Sequence, residues 1–187
     1  MSAHFHALFA AALLGLLLQP GSAHAAPYVF DSKRGEVLFA YSLPFSSGKG
    51  RFTGVTGKAE VNDAAPEKGN VDVVIDARTL RASDSLSQSE LRGSSFFAVA
   101  KYPTMHFKSR SIRAKSTSSY EIAGDMTVKG ITRPIVLHAE LQPPNGGARQ
   151  MRATTRIRRS DFGMTAYGFL VGETVDIEIR APLIPAR

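Results

Sequence analysis

The chain has no cysteine. That excludes a disulfide framework and any redox chemistry on thiols, so the fold must rest on its core alone. No charged residue precedes Asp31. No apolar run approaches the roughly 20 residues that a membrane-spanning helix needs. There is no phosphate-binding glycine loop, no nucleophile elbow around Ser160-Asp161 and no paired set of metal-ligating side chains. Tryptophan is also missing, which by itself excludes nothing.

The uncharged N-terminal stretch has a purpose that its composition suggests. Ala7 to Leu18 is apolar, Gln19-Pro20-Gly21 breaks it, and Ala23-His24-Ala25 presents the small residues of a signal-peptidase site. Residues 1–25 are therefore expected to be a secretory signal peptide, although its start carries His4 and His6 instead of Lys or Arg. Residues 26–187 then form one domain, large enough to bury a core without crosslinks. The formal net charge of +7 falls wholly in that part. A pI near 9.9 suits nucleic acid, a membrane surface or an acidic ligand, and export argues against nucleic acid.

What remains reads as β structure. Val37, Phe39, Tyr41 and Leu43 alternate with Leu38, Ala40 and Ser42. Similar period-2 runs cover 71–76, 135–141, 151–158 and 175–181. Each has one apolar and one polar face, as antiparallel sheets do. The stretches 46–50, 65–70 and 143–147 are loops by composition, and Lys129-Gly130 suits a short hairpin. About eight strands result, at spacings that suit a barrel. One region departs from the pattern. Ser83 to Arg92 lacks β-branched residues, offers serine caps and ends at Gly93, so it predicts a short helical insert.

The order of several motifs resembles one known family. Gly35-Glu36-Val37-Leu38-Phe39 is followed by Gly50-Arg51-Phe52-Thr53-Gly54. Then come Leu91-Arg92-Gly93-Ser94-Ser95-Phe96-Phe97, Lys101-Tyr102-Pro103, Gly124-Asp125-Met126-Thr127 to Arg133-Pro134, and Arg159-Ser160-Asp161-Phe162-Gly163-Met164. Together they resemble the YceI-like family over about residues 28–183. The resemblance implies a periplasmic, lipocalin-like antiparallel β-barrel that binds polyisoprenoid lipids without chemistry and without a cofactor. The chain departs from the family pattern at Ser42-Leu43-Pro44-Phe45 and in its serine-rich insert, which implies a different recognition of the head group.

Strand parity puts Phe39, Tyr41, Phe52, Ile75, Phe107, Leu137 and Ile157 on the inward face. Such a set packs a solid core or lines a ligand site. The resemblance implies the second, an apolar tunnel for a prenyl tail. It also makes Arg51, Lys101 and Arg133 candidates for the polar head, since a guanidinium suits phosphate. The arginines at 149, 152, 156, 158 and 159 form a basic stretch, to be read as a solvated face or as contact with anionic lipid. His106 and His138 remain after export, each isolated in a strand, and are expected to be exposed. The expected function is a non-enzymatic carrier for a polyisoprenoid or isoprenoid-quinone-like amphiphile. The alternatives are an accessory factor or enzyme of isoprenoid quinone metabolism, and a ligand-free structural protein.

Overall fold

A computed structural model describes residues 25–186. The expected signal peptide, apart from Ala25, lies outside the described residues. Eleven strands run β1 (Ala26–Phe30), β2 (Glu36–Leu43), β3 (Ser46–Phe52), β4 (Gly54–Val61), β5 (Asn70–Asp76), β6 (Arg81–Ala82), β7 (Thr104–Ala114), β8 (Ser119–Val128), β9 (Ile131–Leu141), β10 (Arg149–Arg158) and β11 (Thr174–Pro185). One α-helix, α1 (Ser85–Arg92), separates β6 from β7. Every pairing is antiparallel.

These strands fill eight positions of a closed barrel. β2 and then β1 share the same edge of β11, through Ile177↔Phe39 and Val29↔Ile184. Their chain is continuous except for the turn at Asp31, whose carbonyl accepts from the Gly35 amide at 2.7 Å. The Asp31 carboxylate accepts from Arg34 Nε at 2.6 Å, which holds it below the usual carboxylate range. β3 and β4 likewise make one bent position, interrupted at Thr53. The Thr79 hydroxyl oxygen accepts from the Thr53 and Gly54 amides there. β5 and β6 make a third. The expected eight-stranded, lipocalin-like barrel with one short helix is the observed architecture, with three of its strands bent.

Residues 46–50 form most of β3 and are not the loop that their composition suggested. The glycines there have a steric role. On the inner face, a Cβ at Gly48 would lie 2.0 Å from the Tyr41 ring, and one at Gly50 would lie 2.3 Å from the Phe39 ring. Each ring lies over the glycine paired with it across the strands. Gly124 on β8 makes the same room for Phe107. Glycine opposite an aromatic lets a small barrel hold large rings while its wall curves.

The two ends of the barrel differ. At one end lie the β2–β3 turn, the insert from 83 to 103, the β8–β9 hairpin and the long β10–β11 loop. Lys129 and Gly130 both have positive φ, as the tight hairpin requires. In the insert, Asp84 and not a serine caps α1, accepting from the Ser87 amide at 2.8 Å. Gly93 ends the helix as expected, and the chain turns Leu91, Phe96 and Val99 into the core. The opposite end carries the β4–β5, β7–β8 and β9–β10 connections.

The pairing of aromatic and glycine predicts a measurable coupling. Gly50→Ala should cost about 1–3 kcal/mol through overpacking against Phe39. In a Phe39→Ala background, itself costly, the same change should be close to neutral. Chemical denaturation of the four variants measures this, and equal costs in both backgrounds would show that the ring and the glycine are not coupled.

Candidate functional site

The barrel interior is lined mainly by apolar side chains. A cavity of about 110 Å³ runs through it, with exposed walls that are wholly apolar. All seven residues expected on the inward face line it: Phe39, Tyr41, Phe52, Ile75, Phe107, Leu137 and Ile157. Phe39 stacks beside Tyr41, and it meets Phe52 and Phe97 with centroids 5.5 and 5.8 Å apart. Burial, and then the charge of Asp84, pushes the Tyr41 hydroxyl above its ordinary pKa.

The expected lining residues did not include the methionines, although Met151 shares the apolar parity of Ala153 and Ile157. Met105, Met126, Met151 and Met164 all line the cavity. They are all the methionines in the chain beyond Met1. A methionine side chain is unbranched and polarizable, so it fills irregular space and re-packs at little cost. The signal lay in parity for Met151 and Met105, which share the faces of Ile157 and Phe107.

The three head-group candidates do not converge on one place. Arg51 points outward from β3, in register with Arg81 on β6. Lys101 is exposed on the insert, with its ammonium 5.3 Å from the Tyr102 ring centroid. Arg133, on β9, lines a separate recess of about 970 Å³ in the barrel wall. Arg51 and Lys101 line neither the interior cavity nor that recess.

The basic stretch resolves into two kinds of arginine. Arg152, Arg156 and Arg158 face outward, as parity indicated, and each meets a carboxylate of β11 or of the residue before it. The distances are 3.1 Å to Glu178, 2.6 Å to Asp176 and 3.4 Å to Glu173. Exposed pairs of this kind contribute little to stability, but they cancel the local positive charge. That favours the solvated-face reading of this strand. Arg149 and Arg159 are buried. Arg149 Nη1 binds both oxygens of Asp63, at 2.8 and 3.0 Å, and its Nε donates to the Gln142 carbonyl.

His106, expected to stand isolated, is hydrogen-bonded through Nε2 to Asp72 Oδ1 at 2.6 Å, across β5 and β7. The pair is half-exposed on the outer wall. His138 is exposed and lines the recess. Among the described residues, no three His, Cys, Asp or Glu side chains come together to hold a metal ion.

Large apolar side chains are exposed mainly at the insert end. Phe45 is fully exposed on the β2–β3 turn, Phe169 is 85% exposed, and Leu86, Tyr167 and Leu170 are near them in the chain or on α1. These segments touch one another. The Gly172 amide donates to the Ser42 carbonyl, the Tyr167 hydroxyl donates to Glu90, and the Tyr167 ring stacks on Phe96.

Arg159 holds that end in shape. Its Nε donates to the Gly172 carbonyl at 3.1 Å, Nη1 to Met164 and Ala166, and Nη2 to Val171 at 2.9 Å. The guanidinium is thus wrapped by carbonyls of the β10–β11 loop and also borders the cavity. Each bond to a charged donor contributes about 1.5–3 kcal/mol, and a buried carbonyl left without a partner costs more than it would in water. Arg159→Lys should therefore lose the fork and loosen residues 163–172. Limited proteolysis should cleave that loop at least about tenfold faster than in the parent, and an unchanged rate would show that the loop holds itself.

Comparison with known proteins agrees with this geometry. The chain matches the YceI-like domain over residues 28–183. A UPF0312 protein of Vibrio cholerae is 33% identical over 181 residues, covering 92% of this chain and 95% of its own. BcnA of Burkholderia cenocepacia has the same fold, with a TM-score of 0.76 at 19% identity, covering 82% of this chain and 98% of its own. A polyisoprenoid binding domain from Saccharophagus degradans superposes with a TM-score of 0.65 at 12% identity, covering 87% of this chain and 99% of its own. By the extent of the domain match and the identity of its relatives, the chain belongs to the YceI-like family.

Proposed function

We propose that this protein is a periplasmic, non-catalytic carrier that encloses the tail of a polyisoprenoid or similar amphiphile inside its barrel. The observation that carries the reading is the wholly apolar cavity with four methionines in its wall. The relationship to a polyisoprenoid binding domain supports the choice of ligand class. The N-terminal segment supports export.

The size of the cavity says how binding would work. An engineered cavity of about 150 Å³ holds one benzene. The 110 Å³ free here therefore accepts only a few carbons without movement. A long tail needs the wall to re-pack, and the methionines are the side chains best suited to do so. Each CH₂ then withdrawn from water contributes about 0.8 kcal/mol, which a prenyl chain multiplies many times. Exposed Phe45, Leu86, Phe169 and Leu170 support contact between the insert end and a lipid leaflet. The β10 arginines are weaker candidates for that contact, because β11 carboxylates match them.

Leu137→Phe tests the tail site. Leu137 is buried and lines the cavity, so the larger ring should fill part of the tunnel while keeping it apolar. The variant should stay folded and shift its preference from solanesol towards farnesol by about tenfold, measured by competition against a fluorescent apolar probe. A loss of about 1–3 kcal/mol in stability, with no change in chain-length preference, would mark the interior as a solid core.

A further inference from the structure

The barrel wall is not closed along its whole length. β10 pairs with β11 from Arg149 to Arg158, but with β9 only from Met151 to Thr154. Beyond that point β9 is paired only to β8, over residues 131–137, and β10 only to β11, over residues 155–158. Pro134 falls in the unpaired half, and proline is confined to strand edges and bulges. Below the gap, the Thr155 hydroxyl donates to the Val136 carbonyl at 2.8 Å. Above it sits the turn Arg159–Phe162, tethered where Lys129 Nζ donates to the Gly163 carbonyl at 3.1 Å.

The 970 Å³ recess lies at this gap. It is lined by outward residues such as Val136, His138 and Arg156, and by inward ones such as Ile135 and Ile157. Phe39, Ile135, Thr155, Ile157 and Ile177 line both the recess and the interior cavity. A single layer of side chains therefore separates the two. The barrel ends offer less room. Leu91, Phe96, Phe162 and Met164 are buried at the insert end, and the other end holds only a smaller pocket of about 50 Å³ behind Tyr120, Leu141 and Leu183.

The charges of the recess are also uneven. Arg110, Arg156 and Arg158 are matched by Asp125, Asp176 and Glu173. Arg133 is not: among the described residues it meets no carboxylate, and its Nη1 donates to the carbonyl of Thr132, its own neighbour. It shares the parity of Ile135 and Leu137 yet is exposed, in the half of β9 that β10 does not pair. Lys49, on β3, also lines the recess and has no carboxylate partner among the described residues.

We propose that the amphiphile passes into and out of the barrel sideways, through a window between β9 and β10, and that Arg133 holds its oxyanionic head at the sill. The proposal rests on the carrier reading above. Spreading this half of the wall breaks no ladder hydrogen bond, only the side-chain contacts Thr155–Val136 and Lys129–Gly163. The edge of β3 at 46–49 is also unpaired, beyond its two pairs with β6, but it does not line the recess except through Lys49. A planar guanidinium with free donors suits a phosphate head, while the tail turns inward past Ile135 and Ile157.

Because the parent chain has no cysteine, one bulky polyethylene-glycol maleimide can be placed at Val136→Cys. The same label at Val74→Cys, on the outer face of β5, and at Phe169→Cys, at the barrel end, provides the comparison. Stopped-flow fluorescence with N-phenyl-1-naphthylamine reads loading and release. The label at 136 should slow both rates at least about tenfold and leave the equilibrium affinity nearly unchanged, with little effect from the other two sites. Slowing by the label at 169 and not at 136 would overturn the window. Failure of the unlabelled protein to bind the probe would overturn the carrier reading, and the window with it. For the head, Arg133→Gln should weaken farnesyl phosphate about tenfold and leave farnesol unchanged. Equal affinities of parent and variant for both would remove Arg133 from the site.

Discussion

Closure along β11 is the constraint on which the rest of the structure depends. One edge of this strand pairs with β10 over ten residues, and the other takes β2 and then β1. With both its edges occupied, β11 offers no free side along which another chain could add. The inner face can then be wholly apolar without exposing it to water. A small closed barrel has little room, however, and glycines opposite Phe39 and Tyr41, with Gly124 diagonal to Phe107, supply it. These large rings fit the interior because the positions beneath them have no side chain.

Two buried arginines, one at each end of β10, fix the loops that finish the barrel. Arg149 ties the β4–β5 and β9–β10 connections through Asp63 and Gln142. Arg159 gathers the β10–β11 loop through four carbonyls. Both ends are thus held by polar clamps, while the inside of the barrel between them is held by apolar packing. Clamped ends and a methionine-lined centre that can re-pack suit the carrier role proposed above. The half-open seam between β9 and β10 is where that adaptability meets the surface.

Much of the fold was legible in the sequence, because period-2 alternation is a direct image of a wall with one apolar face. It indicated the strand positions around Phe39, Leu137 and Ile157 and the inward side chains of all seven expected lining residues. It misread 46–50, since glycine and serine signal a loop unless one knows that Tyr41 and Phe39 lie across the strand. The cap of α1 was uncertain for a related reason. Several serines could serve, and only the geometry shows that the Asp84 carboxylate is the acceptor. The clamps were hidden deeper. Nothing local separates buried Arg149 and Arg159 from exposed Arg152, Arg156 and Arg158, because the difference lies in carbonyls and carboxylates supplied by distant segments. The unpaired half of β9 was marked only by Pro134.

The central claim is that the barrel interior is built to hold a prenyl-chain lipid. The most direct measurement is organic extraction of the mature protein, isolated from its native host without detergent, followed by mass spectrometry. The account predicts a lipid with a prenyl tail, recovered in near-equal amount to the protein and lost from a variant whose tunnel is filled. An extract free of prenyl lipid, from protein that also takes up none when it is supplied, would contradict it.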